Sequence, residues 1–354
     1  MHLSRTRFAA VLSAALTAAV AACSGHAAIA QDSDAAIANF YRGKQLRMII
    51  RSTAGGGYDL YSRLLARFIG DHIPGKPTVI PQNMPGAGGL TAINYVADVA
   101  PQDGTHITLI SSSLVLDQSL GLTPQLVADL RSLNWIGNLL DSNVLTYVWH
   151  EFPVKTFDDA RRIETPLGST GAGDISSWIP EVYNKVLGTK FKIIEGYGSS
   201  AQTKLAMERG EVAGIGSNPW AALQAAQPDY VRDKKYSYLV QIGVRREPGL
   251  PDVPLLTELG RNDGEREVLG FISKAIAIGR PFGVGPGVPK DRVAALRKAF
   301  DATVLDPAFI AQAKKESADI GPVDGATIQR LIADVIGASP DLKAKVKAVM
   351  PPRN

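Results

Sequence analysis

Twice near the front of this chain an apolar, strand-like run breaks at a cluster of glycines and resumes with helical spacing. Leu46-Arg-Met-Ile-Ile50 runs into Arg51-Ser-Thr-Ala-Gly-Gly-Gly-Tyr-Asp59, and Thr78-Val-Ile80 runs into Gln82-Asn-Met-Pro-Gly-Ala-Gly-Gly89. A strand that feeds a helix through glycines leaves the first peptide N–H groups of that helix without an intrahelical partner. Those groups and the helix dipole favour an anion, often a carboxylate or phosphate. Two such turns in one βαβα unit point to a polar anionic ligand held by main chain. Catalysis does not follow from them.

The pattern continues along the chain. Strand 46–50, helix 57–72, strand 77–82, helix 89–99 and strand 106–110 alternate, which predicts a parallel α/β sheet with right-handed crossovers. Leu60, Leu64, Leu65 and Phe68 give helix 57–72 its apolar face. Strands are predicted over 135–137, 144–149, 163–167, 190–194, 211–215 and 239–244. Helices are predicted over 157–162, 175–187, 200–208 and 219–226. Ala275-Ile-Ala-Ile278 reads as a further strand, Pro281 to Pro289 as a loop, and 290–303, 307–316 and 325–349 as helices. The second half echoes the first, with glycine turns between strands and helices. Two similar α/β lobes, crossed more than once by the chain, imply a cleft between them.

The first thirty residues are not fold. Arg5 and Arg7 precede an apolar run from Phe8 to Ala22, and Ala28-Ile29-Ala30 fits an A-x-A cleavage site. The run is short for a membrane span, and no later stretch of about 18 apolar residues occurs. The mature chain is therefore expected to be exported. Cys23, the one cysteine of the sequence, ends the run in a stretch that resembles a bacterial lipobox. Two readings of the leader stay open: lipidation of Cys23 after a signal over 1–22, which tethers the protein, or a signal peptide over 1–30 cut after Ala30, which frees it. Residues 31–42 read as a tether.

Charge and cysteine content exclude several functions. The formal charge is +4, and without Arg5 and Arg7 it is +2 because residues 1–30 hold no acids. So small an excess, with scattered lysines and arginines, argues against a nucleic-acid binder. Past the leader the chain has no cysteine, which removes disulfides, thiol catalysis and cysteine metal sites. The histidines past residue 30 are His72, His106 and His150, and none forms H-E-x-x-H. A G-x-S-x-G elbow, a Walker loop and G-x-G-x-x-G spacing are missing as well. The expectation is a protein with no catalytic residue, no metal and no cofactor. Trp135, Trp149, Trp178 and Trp220 read as core rather than as stacking platforms.

The ordered set of motifs resembles the solute receptors of tripartite tricarboxylate transporters, the Bug or TctC-like family. The likeness rests on Ala54-Gly-Gly-Gly-Tyr-Asp59, Asn83-Met-Pro-Gly-Ala-Gly-Gly89, Asp103-Gly104, Gly168-Ser-Thr-Gly171 and Gly196-Tyr-Gly-Ser-Ser200. Gly210-Glu-Val212, Pro251-Asp-Val-Pro254 before Glu258, and Pro286-Gly-Val-Pro-Lys290 extend it. It covers about residues 43 to 345. The resemblance implies an α/β, two-lobe, periplasmic-binding-protein-like (Venus flytrap) fold with the ligand cleft between the lobes. Lobe 1 would hold 43–140 plus 270–354 and lobe 2 would hold 141–269. It further implies a monomer that captures a small organic carboxylate and delivers it to a two-component membrane transporter, without turning it over. Many members have Pro where Arg51 stands, Thr where Tyr58 stands and Arg where Met84 stands. These departures mark a different ligand, so "tricarboxylate" is not carried over.

Candidate ligand contacts follow from both readings. Ser52, Thr53, Ala54, Gly55, Gly56 and Gly57 form the first seat, and Pro85, Gly86, Ala87, Gly88 and Gly89 the second. Tyr58 either covers the ligand or packs at the lobe surface. Asp59 either caps helix 57–72 or meets an amine or hydroxyl of the ligand. Arg51 either pairs bidentately with a carboxylate or is a surface charge at a strand end. Ser112 and Ser113 follow the third strand, at the carboxyl end where open α/β sheets bind ligands. Ser169, Thr170 and Gly171, with Ser217 and Asn218, are the second-lobe candidates, each equally readable as a helix cap. An enzyme on the same fold and a sensor subunit for a signalling partner are the competing functions.

Overall fold

A computed structural model describes residues 34–350, except 53, 55, 56, 141, 170–174, 198 and 199. The leader, Cys23 and the cleavage site at Ala30 lie outside the described residues. Among those described, no helix is long and apolar enough to cross a membrane.

The first glycine-linked unit folds as its pattern predicts. Strand β1 (Gln45–Ile50) leads into helix Gly57–His72, and β2 (Thr78–Asn83) follows. β1 pairs in parallel with β2, Leu46 opposite Val79, and with β3 (His106–Leu109), Met48 opposite Ile107. Leu64, Leu65 and Ile69 of the helix are buried against Leu46, Met48 and Ile50, while Leu60 and Phe68 sit at the margin of that core. Beyond β3 come β4 (Asn134–Asn138), β5 (Val144–Trp149), β6 (Thr165–Gly168), β7 (Phe191–Ile194), β8 (Gly214–Pro219), β9 (Tyr236–Ile242), β10 (Pro281–Val284) and β11 (Val323–Asp324). They make two sheets, a six-stranded one in the order β11-β4-β10-β3-β1-β2 and a five-stranded one in the order β7-β6-β8-β5-β9. The chain leaves the first sheet after β4 and returns to it at β10, which runs antiparallel to both β3 and β4.

The return path corrects two sequence expectations. Ala275-Ile-Ala-Ile278 is not a strand: Ala275 to Ala277 close the helix Asp263–Ala277, and Ile278 is its helical C-cap. The strand lies just beyond, over Pro281–Val284, where a loop was expected, and all four of its residues are buried. Short apolar runs look alike at a helix end and in a strand, and a proline at the head of a strand reads as a breaker. Other differences are smaller. Helices expected over 89–99 and 175–187 finish as wide π turns at Tyr95–Val99 and Tyr183–Leu187. The strand expected over 211–215 runs over Gly214–Pro219, and the final helix is two, Gly325–Ile336 and Pro340–Val349.

Helix Asp263–Ala277 joins the two sheets. It packs against helices Ser112–Leu120, Gly325–Ile336 and Pro340–Val349, and against β9. One apolar cluster runs through it, from Ile110, Leu114 and Trp135 on the first side, through Leu269 and Ile272, to Val148, Leu167 and Trp178 on the second.

The stretch expected as a tether is also folded in part. Residues 34–41 are helical, Ile37 and Tyr41 are buried, and the Tyr41 hydroxyl donates to the carbonyl of Gly104 at 3.2 Å. Tyr41→Ala is expected to cost about 3–5 kcal/mol of folding stability, the usual range for deleting a fully buried aromatic ring. Urea unfolding checks this, and an unchanged midpoint means that the segment is a tether after all.

Candidate functional site

A hollow lies where the strand ends of the two sheets meet. It has a volume of about 320 Å³, the size of a small organic ligand. Arg51 enters it directly after β1, and Ser111, Ser112 and Ser113 directly after β3. Ser142 and Val144 at the head of β5 and Pro219 at the end of β8 face them from the second sheet, with Ile175 and Trp178. Ala275, Ile276 and Ala277 of the joining helix, then Gly279 and Arg280, complete the wall with Leu116, Leu140 and Tyr58.

The charge in this hollow is built around one ring. The Arg51 guanidinium stands 4.5 Å from the Tyr58 ring centroid and that of Arg280 stands 4.8 Å from it, with Tyr61 a further 5.3 Å from Arg280. Guanidinium groups stack on aromatic faces because the ring's π cloud is negative there. The glycine turns make room for them. A Cβ on Gly57 would lie 2.6 Å from Nη1 of Arg280, and one on Gly89 would collide with the Arg51 guanidinium. Gly89 also has φ +99°, which favours glycine. Burial holds the Arg51 guanidinium below its ordinary pKa, and the nearby Arg280 cation pushes the same way. An anion placed between them relieves both effects. Among the described lining residues no side chain is acidic, and among the described residues no carboxylate pairs with Arg280.

Ser111 caps the helix that follows β3. Its Oγ accepts from the Ser113 N–H at 3.2 Å and lies 2.7 Å from the Ser113 hydroxyl. The N-terminus of Ser112–Leu120 therefore meets the cavity with hydroxyls and with the positive end of its dipole.

Several expected contacts lie elsewhere. Asp59 does not line the cavity. It is 5% exposed, and its Oδ1 accepts from Arg63 Nε and from Asn83 Nδ2, each at 2.9 Å. Asn83 also donates to the Ser52 carbonyl at 2.8 Å and accepts from Arg63 at 2.6 Å. Asp59 and Asn83 thus staple the first glycine turn to the second. In the second turn Pro85, Gly86 and Ala87 are exposed, and the N–H of Gly89 already donates to the Gly86 carbonyl at 2.8 Å. That amide is not an open seat, because the turn closes as a 3₁₀ turn over Ala87–Gly89, which includes Gly88. Ser52, Ala54, Gly57, Pro85, Gly86, Ala87 and Gly89 do not contribute to the cavity wall. Thr53, Gly55 and Gly56 lie outside the described residues.

The second-lobe expectations change similarly. Ser169 is fully buried, and its Oγ sits 2.9 Å from Ser176 Oγ and 2.5 Å from Ser177 Oγ, with Ser177 donating to Glu195. It serves a buried hydroxyl chain rather than the cavity. Ser217 and Asn218 are strand residues of β8: Ser217 is buried, and Asn218 donates to the Tyr147 hydroxyl at 3.1 Å. Pro219 reaches the wall instead. Thr170 and Gly171 lie outside the described residues. Most of the wall was not among the expectations, and two of its residues stand out. Arg280 fell between an expected strand over 275–278 and an expected loop over 281–289, although a cation bracketed by Gly279 and Pro281 after an apolar run is a visible signal. Trp178, read as core, is 3% exposed and also faces the cavity.

A family model described as "Tripartite tricarboxylate transporter family receptor" matches residues 66–346. The chain belongs to this family. Receptors of the family are periplasmic and bind solutes for transport, and their solved members are binding proteins, not enzymes. A "UPF0065 protein in gbd 5'region" of Cupriavidus necator is 27% identical over 266 residues, 73% of this chain and 75% of its own length. Protein BugT of Bordetella pertussis is 27% identical over 233 residues, 63% and 68%. A TctC solute binding protein from Polaromonas, solved without ligand, superposes with a TM-score of 0.67 at 21% identity, covering 87% of this chain and 99% of its own. The periplasmic binding protein BugD gives 0.59 at 21% identity (87% and 98%), and an R. palustris protein with adipate gives 0.59 at 18% (88% and 99%). The two-lobe fold is shared with all three. The family match begins inside helix Gly57–His72, so Arg51 and Tyr58 precede it.

Asn83→Ala removes the staple and leaves the buried Asp59 carboxylate short of a donor. The expected loss is about 1–3 kcal/mol of stability, the cost of an unsatisfied buried polar group. Thermal unfolding of the variant checks this; an unchanged transition means the two turns are held by something else.

Proposed function

We propose that this receptor takes a small organic anion bearing a carboxylate into the cavity between its lobes and passes it unchanged to a two-component membrane transporter. The observation that carries the reading is the pair Arg51 and Arg280 on the cavity wall, both against Tyr58, with no acidic side chain among the described lining residues. Arg51 and Arg280 bind the carboxylate, each with a planar fork of donors that matches its two oxygens. Ser112 and Ser113 supply hydroxyl contacts at the helix start, and Tyr58 holds both cations in place. Lobe closure over the ligand is a shift of an open–closed equilibrium toward the state in which both walls touch it. Export by the leader over 1–30 brings the receptor to the periplasm, either free after cleavage at Ala30 or held by a lipid on Cys23.

Arg280→Met keeps the length of the side chain and removes its charge. Losing one partner of a buried charge-assisted pair costs about 2–5 kcal/mol, so affinity for any bound organic acid is expected to fall at least about 30-fold. Calorimetry on wild type and variant measures this, after a thermal-shift screen of organic acids has found a ligand, since a ligand that binds only the native state raises the melting temperature. Unchanged affinity removes the arginine pair from the site. Recovery of a chemically altered ligand after incubation shows an enzyme instead of a receptor.

A further inference from the structure

The cavity's chemistry is divided between two poles. We infer that it is shaped for a single-headed acid, one carboxylate on a flat or branched apolar body, and against di- and tricarboxylates. This rests on the receptor reading above and narrows it to a class of ligand.

Both cations stand at one pole. Arg51 and Arg280 are the charged side chains among the described lining residues, and both stand against Tyr58. Among the described lining residues the opposing wall is almost wholly apolar. Trp178, Ile175, Val144 and Pro219 come from the second sheet and its helix, and Ile276 from the joining helix. The polar exception there, Ser142, is already engaged, accepting from the Ala221 N–H at 2.9 Å. The described stretches that supply this wall, 142–144, 175–178 and 216–220, contain no lysine or arginine.

A ligand with a second carboxylate would bring a charge against Trp178 and Ile175 with no cation to meet it. Burying an ion without a partner is strongly unfavourable, and an apolar wall therefore rejects it. A ring or branched chain gains from the same wall by leaving water, and an aromatic body packs against the Trp178 face in the offset or edge-on manner aromatic pairs prefer. The volume of about 320 Å³ accommodates a ring with one headgroup.

Isothermal titration of the mature chain with benzoate, cyclohexanecarboxylate, benzamide, adipate, malate and citrate tests this. Benzoate or cyclohexanecarboxylate is expected to bind at least tenfold more tightly than adipate, malate or citrate, and benzamide, without the charge, not to bind. Tighter binding of adipate, malate or citrate overturns the inference while leaving the receptor reading intact. Binding of none of the six overturns both. Ile175→Arg supplies the missing cation on the far wall. It is expected to reverse the order, favouring adipate over benzoate by at least tenfold, and an unaltered order in the folded variant counts against the two-pole cavity.

Discussion

Two guanidinium groups share one tyrosine ring at the mouth of this receptor, and the local structure is arranged around that crowding. Like charges at such separation repel, and burial adds to the cost of keeping them ionised. Three things offset it. The Tyr58 ring offers its negative face to both. Gly57 and Gly89, lacking side chains, let the flat forks lie against backbone. Asp59, the nearest acid in sequence, is committed to Arg63 and Asn83, so it does not neutralise the pair from within. The outcome is two cations on one stretch of wall with no acidic side chain among the described lining residues, an arrangement that suits an anion.

The same residues that position the cations also couple the lobes. Arg280 follows directly on the helix Asp263–Ala277, whose apolar face belongs to a cluster shared by both sheets. Gly279 accepts from the Ser112 N–H through its carbonyl at 3.2 Å, which ties this corner to the helix carrying the cavity serines. Trp178 belongs to the same apolar cluster as this helix, so in the reading proposed above a motion of the second lobe would reach Arg280 along one packed path, and a ligand would need only to favour the closed state.

Much of this was legible in the sequence, and the gaps have physical causes. β1, helix Gly57–His72 and β2 carry clean periodicity and glycine punctuation, so their bounds follow from pattern alone. Helix Asp263–Ala277 does not: its last turn alternates alanine and isoleucine, which suits a buried helix end and a strand equally. Misreading it displaced β10 into a loop and hid Arg280. Arg51 and Tyr58 stood out in the sequence because they depart from the family's pattern, yet nothing local says that their side chains meet. The further contact of Arg51 with Gly89 joins residues that follow two paired strands, β1 and β2, and is equally invisible locally. Ser169 illustrates the converse. Its type and place suit a ligand contact, but a buried run of Ser176, Ser177 and Glu195 turns its hydroxyl inward. The partner of Asp59 was readable, since Arg63 lies one helical turn further on.

Glycine-rich turns at strand ends have two distinct uses, and this chain separates them. Where a turn's own amides hold a carboxylate, the glycines let the ligand approach backbone, and selectivity rests on the shape of a polar cradle. Where a side chain occupies the space that the missing Cβ leaves, as Arg51 does at Gly89, the amide can be spent on the turn itself, and the N–H of Gly89 is. Recognition then moves from backbone dipoles to full charges on a fixed planar fork. A full charge demands a full countercharge and stands out sharply against an uncharged wall. On the inference above, spatial segregation of charge is thus the feature by which this cavity would select its solute.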